Sequence, residues 1–357
     1  METSRTVRFT AIALVLLAGA AWSLASARAA PAPHPGARFL ATGTWLKSHL
    51  TDAGLVVVDV RGDKDFDGRA IPGAVRMPWS KFRYDDPARG IGDRFVGEVR
   101  AQEIFGEYGI GRNDTVVLYD SVKKDGGATS SYVFWVLDLL GHGKMKVLER
   151  GIDGWVAAGG AVVEQTRAPE PALYQAPVDE MRPRRQVDAA FILSRLGDPH
   201  YQILDVRSRE EYVGEKLSEG LGGEPLEPGH IPTAANVDYR LNWVDAESKA
   251  IKSQAQLEAL YAGLDTNKTV IPYCHSGRRA SFGYFILRLM GLENVALYDD
   301  SWFIWGNPRT YYPLEVQERP FASGLPASSP LKAAAAGASA APVQKAQAKG
   351  GYVSCGG

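Results

Sequence analysis

Lys268-Thr269-Val270-Ile271-Pro272-Tyr273-Cys274 runs into His275-Ser276-Gly277-Arg278-Arg279 and then into the apolar stretch Phe282 to Leu289. Val270 to Tyr273 carries no charge and reads as a strand buried on both faces, as in a parallel sheet covered by helices. Phe282, Tyr284, Phe285, Ile286, Leu287 and Leu289 predict a mostly buried helix. The same order occurs earlier in the chain. Asp114-Thr115-Val116-Val117-Leu118-Tyr119-Asp120 matches the strand, and Tyr132 to Leu140 matches the helix.

Other blocks repeat around these two. Leu55-Val56-Val57-Val58-Asp59-Val60-Arg61 matches Gln202-Ile203-Leu204-Asp205-Val206-Arg207, and Ile71-Pro72-Gly73-Ala74 matches Ile231-Pro232-Thr233-Ala234. Val147 to Trp155 aligns with Val295 to Trp302, one residue shorter. Four blocks besides the helix, in one order, indicate a duplicated domain. Alternating strands and helices give the expected fold class: α/β, two similar domains, each a mainly parallel sheet flanked by helices. The expected boundaries are 37–165 and 187–318. The linker, 166–186, is broken by Pro169, Pro171, Pro177 and Pro183. From 319 to 357 the chain reads as a flexible tail. Ala322 to Lys349 is rich in Ala, Ser, Pro and Lys and too poor in bulky apolar residues to form a core.

With 357 residues, 45% of them hydrophobic, there is enough chain for two cores. A net charge of −1 argues against a nucleic-acid footprint, so any anion binding must be local. Residues 1–29 read as an export signal: Arg5 and Arg8, an uncharged run from Phe9 to Leu24, then small-x-small sites ending at Ala27 or Ala29. The expected location is periplasmic or secreted, with no stable membrane insertion after cleavage; the alternative for this run is an anchor. Cys274 and Cys355 are the two cysteines, which excludes a disulfide scaffold.

Cys274 closes a predicted strand just before a predicted helix. Gly277 permits a tight turn. Such a loop can aim successive amides at an anion, and the helix N-terminus adds partial positive charge. Arg278 and Arg279 add full charges. All three favour thiolate over thiol, so Cys274 is the expected nucleophile, provided that solvent reaches it. The competing reading is a small buried core cysteine. A phosphatase loop would need an Arg six positions on, where Ala280 stands, and no metal-ligand spacing accompanies Cys274-His275.

The doubled Asp-Val-Arg block, Gly229-His230-Ile231-Pro232, the Tyr273-Cys274 loop and Tyr298-Asp299-Asp300-Ser301-Trp302 together resemble the tandem rhodanese family, from about Arg38 to Glu318. The resemblance implies a sulfurtransferase active only in the second domain. Its Cys274 thiolate would take sulfane sulfur from a small anionic donor, become a persulfide and pass the sulfur to an acceptor such as cyanide or a thiol. Asp120 holds the cysteine's place in the first domain, which is therefore expected to be silent. The amides of His275, Ser276, Gly277, Arg278 and Arg279 would bind the substrate sulfur. Arg278 and Arg279 would attract the donor or else salt-bridge the other domain. His275 would shuttle a proton or simply belong to the loop. Asp205 and Arg207 would support the loop, and His230 would be structural. The chemistry needs no cofactor or metal.

Two guanidinium groups suit thiosulfate. The Ser276-Gly277 pair is closer to loops that use 3-mercaptopyruvate, and a non-catalytic sulfur-binding module is a further alternative. The terminal Ser354-Cys355-Gly356-Gly357 partly resembles the arm of a bacterial sulfur-carrier protein. Cys355 would then carry sulfur to or from a protein partner; an unstructured tail or a disulfide is the alternative.

Overall fold

The computed structural model describes residues 32–124 and 126–319. The segment read as an export signal, residues 1–29, and Cys355 lie outside them. The strands are β1 (Leu40–Ala41), β2 (Leu55–Asp59), β3 (Val75–Arg76), β4 (Arg83–Asp86), β5 (Ile91–Phe95), β6 (Thr115–Tyr119), β7 (Met145–Leu148), β8 (Tyr201–Asp205), β9 (Ala235–Asn236) and β10 (Thr269–Tyr273). The helices are α1 (Gly43–His49), α2 (Glu98–Glu107), α3 (Ala128–Leu139), α4 (Gly151–Ala157), α5 (Ala189–Leu193), α6 (Arg209–Tyr212), α7 (Gln254–Leu260), α8 (Arg278–Leu289) and α9 (Ser301–Trp305).

In the first half β1-β7-β6-β2-β3 form one parallel sheet; in the second, β10-β8-β9 do the same. Equal register in the central pairs, Asp59 beside Tyr119 and Asp205 beside Tyr273, carries the duplication into three dimensions. A separate antiparallel hairpin, β4–β5, leaves the first half and lies against the second.

Helices α3 and α8 are buried along their whole length because they pack on each other as well as on their own sheets. Neither therefore leaves a face to solvent, and the arginines of α8 and Asp138 of α3 are buried with the rest. Each ends the same way. Gly141 and Gly291 take left-handed angles, and the next residue's amide reaches back to Leu137 and Leu287. Phe134 meets Phe285 edge to face at 5.1 Å, worth about 0.5–1.5 kcal/mol beyond the buried area. Buried Asp138 on α3 accepts from Tyr284 Oη at 2.5 Å and lies 3.3 Å from Arg288 Nε, both on α8. One continuous apolar core therefore spans the two halves.

One part of the sequence alignment is corrected. Trp155 corresponds to Trp305, not Trp302, and the block carries no deletion. Gly151 and Ser301 both have positive φ, and the next amides, of Ile152 and Trp302, return to the carbonyls of Asp120 and Cys274. Trp155 and Trp305 then each donate an indole N–H to a carbonyl downstream, Ala161 and Pro313. The backbone return to the loop sets this spacing, and tryptophan identity alone misplaced it.

Candidate active site

Cys274 follows β10 directly, and Gly277 turns the chain into α8 at φ 88°. A Cβ at Gly277 would lie 2.1 Å from Asp299 Oδ1 and 2.8 Å from the Asp299 carbonyl, so glycine is required on two grounds. The loop is also tied to α9. The Cys274 amide donates to Ser301 Oγ at 3.0 Å, and the carbonyls of Cys274 and His275 accept from Trp302 and Phe303 at 3.1 and 2.9 Å. Ser301 holds this position at φ 52°, where the first half has glycine; its hydroxyl also donates to the Tyr298 carbonyl.

The first half shows what such a loop accepts. The Asp120 carboxylate sits where the thiol would be, and it receives the Gly127 amide at 3.0 and 3.1 Å and the Ser130 amide at 3.1 Å. Gly127 caps α3 as Gly277 caps α8. First-turn amides have no partner within their own helix and carry the positive end of its dipole. Burial still raises the Asp120 carboxyl to about 6, against the pull of the Ser130 and Gly127 amides.

The two arginines have different partners. Arg279 forks onto Glu211, with both bonds at 2.8 Å and both side chains buried. Burial opposes charge on Glu211, but Arg279 outweighs it, and the carboxyl stays well below its usual range. This departs from the expectation that Arg279 would face the donor or the other domain: its partner lies 68 residues earlier in its own half. Arg278 does face the other half, with its guanidinium 5.7 Å from the Trp79 ring centre.

Burial, with Arg279 close by, pushes the His275 imidazole down to about 3, and its ring lies 4.5 Å from that of Phe303. An imidazole lowered this far is neutral near pH 7 and carries no imidazolium proton there. Ser276 is buried, and its carbonyl accepts from Arg83 Nη2 of the first half.

Asp205 and Arg207 form a closed brace. Arg207 Nε and Nη2 bond the Asp205 carboxylate at 3.0 and 2.6 Å, Tyr273 Oη donates to it at 2.5 Å, and Arg207 also reaches the Gly229 carbonyl. Asp59 and Arg61 repeat the fork in the first half. A feature shared with a half that lacks the cysteine holds strands together rather than doing chemistry. His230 stacks on Tyr212 at 3.7 Å, and its Nδ1 lies 2.7 Å from the Tyr212 carbonyl.

Sequence reasoning missed Glu211, Arg83 and Asp299. Glu211 does have a local signal, the Ser208-x-x-Glu211 capping box, which is present here. The condition of solvent access is not met in this conformation: Cys274 and the five residues after it are all buried. A large groove of 1320 Å³, lined by Arg94, Arg184, Phe191 and Tyr201 among others, follows the linker and includes none of them. Reaching the thiol therefore takes a local opening, and the cover includes first-half residues.

A family model for the rhodanese-like domain matches residues 42–158 and 188–308. The thiosulfate sulfurtransferase of Corynebacterium glutamicum is 33% identical over 293 residues, which is 78% of this chain and 91% of that protein. The sulfur carrier protein TtuD of Thermus thermophilus is 30% identical over 285 residues, covering 77% of this chain and 95% of that protein. Among solved structures, the anaerobic ergothioneine biosynthesis enzyme of Chlorobium limicola superposes with a TM-score of 0.65 at 22% identity, over 80% of this chain and 72% of that one. At that identity the likeness is one of fold.

Proposed function

The chain belongs to the rhodanese-like domain family, in tandem, and on that footing we propose that it is a sulfurtransferase moving sulfane sulfur from thiosulfate to a thiophilic acceptor through a persulfide on Cys274. The observation that carries the reading is the Asp120 carboxylate held by the Gly127 and Ser130 amides, which is an anion in the cradle of the sister loop. Names of relatives such as the Corynebacterium glutamicum enzyme favour thiosulfate over 3-mercaptopyruvate as donor.

The Cys274 thiolate attacks the outer sulfur of thiosulfate. A Cys–S bond forms, the bond to the sulfonate sulfur breaks, and sulfite leaves with the electron pair. Cyanide or a thiolate then attacks the outer sulfur, and the pair returns to Cys274. Atoms and electrons close without a further reagent. The loop amides would stabilise the sulfur anion in both steps. Asp120 cannot carry sulfane sulfur, so the first half serves to cover and shape the site.

The match to a sulfur carrier protein favours a second reading, in which the acceptor is a protein. Cys355 would be the carrier thiol on this chain, and the export signal would place the work in a periplasm or outside the cell.

Thiocyanate formation from thiosulfate and cyanide is the test, run on the wild type and on Cys274→Ser. The wild type should turn over and the variant should not. A wild type that forms no thiocyanate with any sulfane donor, and no cyanide-labile sulfur on Cys274, refutes the reading in favour of a non-catalytic module.

A further inference from the structure

Arg83 stands at the start of the β4–β5 hairpin, in the half that lacks the cysteine. Its guanidinium is nonetheless buried, with ring centres of Tyr132 and Trp79 at 4.9 and 5.1 Å. Nη2 donates to two carbonyls, that of Asp93 in its own half and that of Ser276 in the Cys274 loop. Asp93 takes the left-handed region at φ 58°, and its carboxylate also lies 3.7 Å from Arg83 Nε. Its backbone carbonyl and its side chain thus both fix the guanidinium.

The carbonyl it grips belongs to the Ser276–Gly277 peptide. In the silent half the corresponding peptide, Gly126–Gly127, donates its N–H to the Asp120 carboxylate. The two glycines cap the same helix in the repeat at φ 110° and 88°. A cation on a peptide oxygen draws electron density from the conjugated nitrogen and makes its N–H a stronger donor, as in any hydrogen-bonded chain. The silent loop is treated differently. Lys249 of the second half bonds the carbonyls of Val122 and Lys124, neither of which belongs to the capping peptide.

We propose that Arg83 is a positioning residue contributed by the silent half: it holds and polarises the Ser276–Gly277 peptide so that its N–H faces the sulfur anion on Cys274. The proposal rests on the anionic sulfur chemistry given above for that cysteine. It assigns the first half a part in the reaction beyond covering the site. Charged groups around this peptide are Arg83 and Asp93 from the hairpin, Asp299 beside Gly277, Arg278, and the Arg279–Glu211 pair.

The test uses the full chain with Arg83→Met and Arg83→Lys. Alkylation of Cys274 by iodoacetamide is followed across pH on its own peptide by mass spectrometry, beside thiocyanate turnover and thermal unfolding. Arg83→Met should move the alkylation midpoint up by about one pH unit and lower kcat roughly ten- to hundredfold, the range for loss of a charge-assisted bond. Arg83→Lys keeps the charge but not the planar fork and should fall between. A merely structural role would lower the unfolding temperature without moving the midpoint. Wild-type midpoints in both variants overturn the proposal, and should the Met variant not fold, an unmoved midpoint in Arg83→Lys does so. A wild-type chain that transfers no sulfur refutes the proposed function instead.

Discussion

Replacing Arg279 by Met separates a structural ion pair from a donor-binding cation. In the wild type the guanidinium and the Glu211 carboxylate share two 2.8 Å bonds, with side chains only 6% and 2% exposed. Removing one partner of such a pair leaves the other buried and uncompensated, at a cost of about 3–5 kcal/mol. In a chain of this size that corresponds to about 5–8 °C in unfolding temperature. Glu211 supplies a pH signature. Its folded pKa lies below the unfolded value, so its stabilisation is present above the ordinary glutamate range and is lost as pH falls through the folded value. In Arg279→Met, burial still raises Glu211 while only Arg207 and the Ser208 amide pull it down, so it should bind a proton at a higher pH than in the wild type. The deficit should therefore be full at pH 8 and shrink toward pH 5. Adding Glu211→Gln should recover about 2 kcal/mol or more of the loss in a double-mutant cycle read by thermal unfolding. The reasoning is refuted if Arg279→Met unfolds at the wild-type temperature while its KM for thiosulfate rises many-fold, since Arg279 would then be a substrate ligand.

Gly277→Ala should be severe. The left-handed angle costs about 1–3 kcal/mol for a residue with a Cβ, and the 2.8 Å approach to the Asp299 carbonyl cannot swing away; lowered unfolding temperature and lost thiocyanate formation are the readouts. His275→Gln should leave the kcat profile between pH 6 and 8 unchanged, because the imidazole is already neutral there. Its effect belongs to stability. With a folded value near 3, His275 lets the unfolded chain bind the extra proton below about 6.5, so stability falls as pH drops from there, by about 1.4 kcal/mol per unit. The glutamine variant should lose that slope in unfolding measured from pH 6.5 to 4.

The strands at Val56, Val116, Ile203 and Val270 were legible because runs without charge survive only where both sheet faces are covered. The helix from Phe282 was legible for the same reason. The Cys274 loop could be read from neighbours alone, since strand end, glycine and helix start are contiguous. Which arginine does what could not. Arg278 and Arg279 are adjacent, yet one turns to Trp79 and the other to Glu211, because successive residues on a helix point about 100° apart. The register of the Trp305 block was misread because sequence identity at a tryptophan weighed more than the backbone bond from Trp302 to Cys274.

Local chemistry, then, was written in the chain: a duplicated α/β unit, a cysteine at one strand end and an aspartate at its twin. Burial of the thiol, the Glu211 partnership and the reach of Arg83 into the loop arise from contacts between residues 68 and 193 positions apart. The Arg83 contact depends on how α3 and α8 pack the two halves together, and the Glu211 pair on how the second half folds on itself. Periodicity and spacing report on neighbours along the backbone, and only the folded interface decides which distant charges meet away from water.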